Sequence, residues 1–255
     1  MMSYKLNLLR STLSTGAALT ILTMAGPAQA GSSFCPVNYS TLKKALVSAD
    51  QANAMLPSGS GGFKNHFWAV VVNREGVVCA VAFSGANTGS QWLASRQIAA
   101  AKAFTANGLS LNLGSPKGTG ALSTAQLYQF VQPSNKDVAN PLFGLDGGNV
   151  MNSLLAYQGD YELFGTANDP MIGQRIGGTI TFGGGLALYS GKSVVGGLGL
   201  SGDTACADHS VAWQTRINLS LPPIPATDQL PFATNLAQTN GHPHCPNDAG
   251  TLGST

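Results

Sequence analysis

The chain has 255 residues, and only 9% of them are charged, against a usual share of roughly a quarter. Lys plus Arg number 13 and Asp plus Glu 11, with no basic patch and no aromatic-basic repeat, which argues against a nucleic-acid binder. The apolar run over 13–24 is too short for a transmembrane helix, and no other apolar segment reaches spanning length.

Residues 1–30 read as a secretory signal peptide. Lys5 and Arg10 supply a positive start, an uncharged apolar run follows over 13–24, and Ala28-Gln29-Ala30 is a small-x-small cleavage site behind Pro27. Cleavage after Ala30 takes Lys plus Arg from 13 to 11, so the mature chain is formally neutral. The expectation is an exported protein, periplasmic or extracellular. The cysteines Cys35, Cys79, Cys206 and Cys245 all lie beyond the cleavage site. Four cysteines in an oxidising compartment predict two disulfides, with three possible connectivities. No close Cys-x-x-Cys pair is present to favour zinc.

The helical spacing of Leu42, Ala45, Leu46 and Ala49 predicts a first helix over 40–56. Two β-rich runs, 67–73 and 77–83, flank the tight Arg74-Glu75-Gly76 connection of a hairpin. An alanine-rich helix is expected over 88–107, with Asn107-Gly108 as its C-cap. From 109 to 177 the pattern weakens into an insertion, with short helices expected at 123–130 and 149–155. Three strands are expected next, at 178–182, 186–190 and 194–201, then a helix over 204–215. Beyond Leu219, six prolines imply an extended tail over 220–255, held down by Cys245.

The last strand carries Gly196, Gly197 and Gly199 and ends in Ser201-Gly202-Asp203. Glycine inside a strand weakens it, and is tolerated where a ligand, a helix or another subunit must approach the backbone closely. The order of elements predicts one α+β domain over 31–219, with a five-stranded antiparallel sheet and helices packed on it.

Two motifs carry a resemblance. The hairpin VVVNREGVVCAVAFSG followed by SRQIAAAKAFTAN, and FGGGLALYSGKSVVGGLGLSGD, are similar to the signatures of the GlcG/HbpS-type haem-binding family. The chain departs from that family in its 109–177 insertion, its tail, and Leu186-Ala187 where the family has a proline. The resemblance implies a profilin-like fold with strand order 2-1-5-4-3, a haem or other tetrapyrrole ligand, and self-association. That order implies that His66, Asp203 and His209 gather at one end of the sheet, joined by Ser90 and Arg96 from the following helix. His209 is the expected axial donor to haem iron, and Arg96 or Lys102 the partner of a propionate. The same order implies the pairing Cys35–Cys79 and Cys206–Cys245.

These residues also have structural readings: Asp203 or Thr204 as a helix N-cap, His209 as a structural or surface histidine, His66 as a surface residue, and Arg96 and Lys102 as solvated helix residues; Trp68 and Trp213 read as core or interface. No Cys-x-x-Cys-His is present for covalent haem, nor a Gly-x-Ser-x-Gly elbow, His-Glu-x-x-His or P-loop. The leading reading is an exported haem-binding protein of uptake, storage or sensing. The alternatives are an enzyme on a small organic molecule using an Asp203/His209 acid-base pair, and a structural self-assembling protein. Broad neutral surfaces predict at least a dimer; light scattering at micromolar concentration should return a multiple of the monomer mass, and a monomer mass alone refutes it.

Overall fold

A computed structural model describes residues 34–57, 59–116, 120–133, 140, 142–147, 150–233 and 241–246. The expected signal peptide, residue 149 of the second insertion helix, and tail residues 234–240 and 247–255 lie outside them.

Four antiparallel strands form one sheet in the order β2-β1-β4-β3: β1 (Trp68–Asn73), β2 (Val78–Phe83), β3 (Gly185–Ser190) and β4 (Ser193–Ser201). The expected fifth strand at 178–182 does not form. Thr179, Ile180 and Thr181 favour extended backbone, but Gly178 (φ 90°) and Gly184 (φ 116°) bend the chain on either side. The Ile180 amide donates to the Thr105 hydroxyl at 3.0 Å instead of to a neighbouring strand. Removing that strand from the expected order leaves the observed one.

Among the described residues, five α-helices accompany the sheet: α1 (Tyr39–Met55), α2 (Ala94–Leu109), α3 (Thr124–Val131), α4 (Ser153–Ala156) and α5 (Ala205–Asn218). Local chemistry sets several of their starts. Asn38 caps α1 by accepting from the Thr41 amide, Ser123 and Gln126 form a capping box on α3, and Thr204 caps α5 by accepting from the Ala207 amide. Helix α2 begins later than its alanine content suggests. Residues Thr88–Ser90 form a separate 3₁₀ turn capped by Asn87, and the α-helix starts at Ala94. It also runs past Gly108, with Ser110 as its C-cap.

The strands alternate their side chains between two cores. Phe67, Ala69, Val71, Leu198 and Leu200 pack with Leu42, Leu46 and Ala49 of α1 and Val211, Ala212 and Trp213 of α5. Trp68, Val70, Val72, Val81 and Phe83 pack on the opposite face with Ala99 and Ala103 of α2 and with Phe164, Met171 and Ile176 of the insertion. The sheet therefore lies between α1 and α5 on one side and α2 with the insertion on the other. The insertion also meets β2, where Val78 donates to Gln174 O at 2.9 Å and accepts from Gly173 N at 2.8 Å.

Glycine is required on β4 because a helix approaches its backbone. A Cβ at Gly199 would stand 2.0 Å from Ala99 O, and one at Gly197 would stand 2.1 Å from Ala103 O. Both cystines form as expected, Cys35–Cys79 with Cα atoms 5.5 Å apart and Cys206–Cys245 with 6.1 Å, within the reach of the bond. The tail packs on the body: Leu221 O accepts from Tyr189 N, and Thr227 O accepts from Gln126 Nε2.

Gly199→Ala should destabilise the protein by more than about 2 kcal/mol in urea titrations, because backbone and not a yielding side chain meets the new methyl. Gly108→Ala, in the last turn of α2 with nothing within 4 Å of the added carbon, should stabilise it by about 0.5 kcal/mol.

Candidate functional site

The start of β1 pairs with the end of β4, Trp68 opposite Ser201. This register brings His66, Ser84 and the 201–203 turn to one end of the sheet. Gln91 clamps that end: its side-chain amide donates to Gly202 O at 2.7 Å and also to His66 O. Asp203 is a loop anchor rather than the helix cap. Its carboxylate accepts from the amides of Phe63 (2.9 Å), Asn65 (3.0 Å) and Thr204 (2.6 Å). The loop it holds contains Lys64 at φ 61°, a left-handed conformation that backbone hydrogen bonding must over-determine.

His66 ends this loop with its side chain 52% exposed, and its Nδ1 lies 2.9 Å from Oδ2 of the largely buried Asp50 on α1. The edge of its ring meets Phe83, with centroids 6.1 Å apart. Two large apolar side chains stand exposed in the adjoining segments, Phe63 at 62% and Trp92 at 58%. Asp50 and Trp92 were absent from the sequence-derived set. The one sequence signal for Asp50 is a carboxylate near the C-terminal end of α1, where the helix dipole favours a cation.

The other expected residues make their contacts elsewhere, and Arg96, Lys102 and His209 are buried. Ser90 is exposed and donates locally to Asn87 O. Arg96 is buried, with a bidentate pairing to Asp169, a bond to Ala156 O, and the Phe164 ring 3.8 Å from its guanidinium carbon. Lys102 is fully buried, and its ammonium donates to Asp208 Oδ2 at 2.6 Å and Leu200 O at 3.0 Å. Burial pushes the Asp208 carboxyl up to about 6 and the Lys102 ammonium down, while their contact opposes both shifts. A buried pair of this kind fixes a position more than it adds stability.

His209 is fully buried on α5, and among the described residues neither ring nitrogen has a hydrogen-bond partner. The Gly183 backbone covers it, since a Cβ at Gly183 would lie 3.0 Å from His209 Cβ, and Gly183 N donates in turn to His242 Nε2 at 3.3 Å. The cystine Cys206–Cys245 ties the 241–246 segment there. Burial first, then the charges of Arg216, His242 and Lys102, push the His209 imidazole down to about 3. It is a neutral, sealed side chain. No hydrogen bond joins it to Asp203 among the described residues, so the acid-base pairing of Asp203 with His209 gains no support.

His209 and Asp208 act on acid stability with opposite signs. Unfolded His209 takes a proton near 6.5 but in the fold only near 3. Its contribution is therefore complete above 6.5 and declines as pH falls toward 3. Asp208 titrates near 3.8 unfolded and about 6 folded, so its contribution is complete below 3.8 and is lost as pH rises through 6. Between these limits the two largely offset, and below 4 the His209 effect stands alone. His209→Leu should therefore reduce the stability lost between pH 7 and pH 4 by about 3 kcal/mol, measured by urea unfolding at the two pH values; an unchanged difference refutes the assignment.

No curated protein matches the chain. Two solved structures are similar to it. A Klebsiella pneumoniae protein, ORFY, is 21% identical, with 72% of this chain and 92% of that one covered and a TM-score of 0.41. A PduOC:heme complex is 20% identical, with 71% and 91% covered and a TM-score of 0.43. The family described as "Haem degrading protein HbpS-like" matches residues 44–216, which take in the whole sheet and α2, α3, α4 and most of α1 and α5. The chain belongs to the HbpS-like family.

Proposed function

We propose that the chain is an exported haem-binding protein and that His66, oriented by Asp50, is its iron ligand. The observation that carries this reading is the His66 Nδ1–Asp50 contact at 2.9 Å on a half-exposed imidazole. A carboxylate that holds the Nδ1 proton leaves the Nε2 lone pair free for a metal, the usual second-shell arrangement for ligating histidines. Haem, when bound, would supply an iron that a neutral imidazole such as that of His66 can hold, together with a broad apolar face. Phe63 and Trp92 offer that face exposed apolar surface, and the Asp203 and Gln91 hydrogen bonds hold their segments in place.

The donor set fits the group at His66 and not at His209, which lies under the Gly183 backbone and the disulfide-tied tail. Arg96 and Lys102, expected to meet propionates, are held in internal ion pairs. Lys43 takes that role in this proposal: its ammonium lies on the Phe83 carbonyl, beside the ring that contacts His66. Membership of the HbpS-like family supports a tetrapyrrole ligand. Two cystines and the N-terminal sequence pattern support export.

Haemin titration of the protein should give a saturable Soret shift. His66→Ala should weaken binding by tenfold or more and move the Soret maximum, Asp50→Asn should weaken it several-fold through the misdirected ring, and His209→Leu should leave it unchanged. No saturable shift in the parent protein removes the haem reading. An unaffected His66→Ala variant moves the ligand elsewhere.

A further inference from the structure

Helix α5 and the segment 241–246 carry two pairs of metal-ligand residue types at the same spacing, Cys206-x-x-His209 and His242-x-x-Cys245. Three residues apart on a helix, Cys206 and His209 are neighbours on one face. The cystine Cys206–Cys245 joins the two pairs at their sulfurs. Gly183 lies between their histidines: its amide donates to His242 Nε2 at 3.3 Å, and a Cβ built on it would stand 3.0 Å from His209 Cβ. Two cysteines and two histidines from distant parts of the chain thus meet at one place.

Both imidazoles are in the form that a metal requires. The buried His242 has its Nδ1 2.7 Å from the Pro243 carbonyl, which holds the proton there and leaves the Nε2 lone pair as an acceptor. Ligating histidines are oriented in the same way, by a carbonyl or carboxylate on the second nitrogen. Burial, and after it the charges of Arg216, His242 and Lys102, keeps His209 neutral. Neither of its nitrogens has a partner among the described residues, a condition that native proteins seldom leave without a purpose. With the cystine closed, no three such side chains among the described residues are placed to hold a metal, because the two sulfurs are bonded to each other.

We propose that reduction of Cys206–Cys245 turns this cluster into a Zn²⁺ site with Cys206, Cys245, His209 and His242 as its ligands. The reductant is a dithiol. One of its sulfurs attacks Cys245, which is partly exposed where Cys206 is buried, and Cys206 leaves as a thiolate. The second sulfur then closes the reductant's own disulfide and Cys245 leaves, so two electrons and two protons pass to the protein. Both new thiols release their protons as the ion binds. Bonded sulfurs stand about 2 Å apart and those of a tetrahedral zinc about 3.8 Å, so the two must separate by about 2 Å. That shift falls on 241–246, a surface segment in which His244 and Pro246 are exposed. Two thiolates and two imidazoles select zinc over calcium or magnesium. The thiolates also cancel the charge of the ion, so no net charge is buried. The site shares no residue with the His66–Asp50 pair and is independent of the haem reading.

The test is an anaerobic titration of the reduced protein, freed of reductant, with Co²⁺ and then with Zn²⁺. The reduced protein should show the visible bands of tetrahedral Co²⁺ and a thiolate charge-transfer band, both displaced by Zn²⁺, and the oxidised protein should show neither. The spectrum should persist in Cys35→Ser/Cys79→Ser, which lacks the other two thiols. His209→Leu and His242→Ala should each weaken Zn²⁺ at least tenfold, while His244→Ala, in the same segment, should leave it unchanged. Zinc should raise the Tm of the reduced protein and not that of the oxidised one. A reduced protein with no tetrahedral Co²⁺ spectrum, or with a Tm that zinc does not move, overturns the proposal. So does a zinc affinity indifferent to both His209→Leu and His242→Ala, a comparison that stands even if the Cys35→Ser/Cys79→Ser variant does not fold.

Discussion

Helix α2 rests on β4 with almost no side chain between the two backbones. The strand offers hydrogen where a methyl would collide with the Ala99 and Ala103 carbonyls, and the helix answers with alanine at the matching turns. The rest of the structure follows from that proximity. Lys102 sits one residue before Ala103, so its ammonium reaches Leu200 O at the end of β4 and Asp208 in the first turn of α5. This contact sets where α5 begins relative to the sheet. Arg96, further back on the same helix, reaches Asp169 and pins the insertion over β1 and β2. A helix standing even a methyl's width further out would lose both ion-pair geometries, and each would leave charges buried without a partner.

Much of this was legible in the residues. The hairpin, the helix spacing of α1, the short helix after residue 123, both cystines and the meeting of β1 with β4 all rest on local patterns or on the family resemblance. The glycines of β4 were recognised as marking a close approach, with the approaching object left open among ligand, helix and subunit; it is α2. The failures share a cause. Thr179-Ile180-Thr181 has the composition of a strand, but a single hydroxyl on α2 takes its amide and two left-handed glycines turn it out of the sheet. Arg96 and Lys102 stand at helical positions that resemble solvated ones, because their partners lie 73 and 106 residues away.

The candidate site shows the same division. The register of β1 against β4 correctly brought His66 and Asp203 to one end of the sheet. The contact that sets His66 apart from His209 depends instead on the path of the 59–66 segment, which brings Asp50 to a residue 16 positions later. Left-handed Ser60 and Lys64 shape that path, and neither residue type advertises such a conformation. The two histidines end in opposite conditions. One is half in water with a carboxylate behind it, and the other is dry, uncharged and without a partner.

Three of the eleven carboxylates, Asp169, Asp208 and Asp228, face inward against Arg96, Lys102 and Arg216. In a chain with so few ionised groups, this internal use leaves still fewer charges of either sign for the exterior. Such a protein has little means of drawing a charged molecule from a distance, because long-range steering needs an excess of one sign at the surface. Its encounters are set by diffusion and by contact, through aromatic rings and neutral polar groups. The frequency of those encounters would then hardly change between dilute and concentrated salt, a useful property wherever the surrounding ionic strength is not controlled.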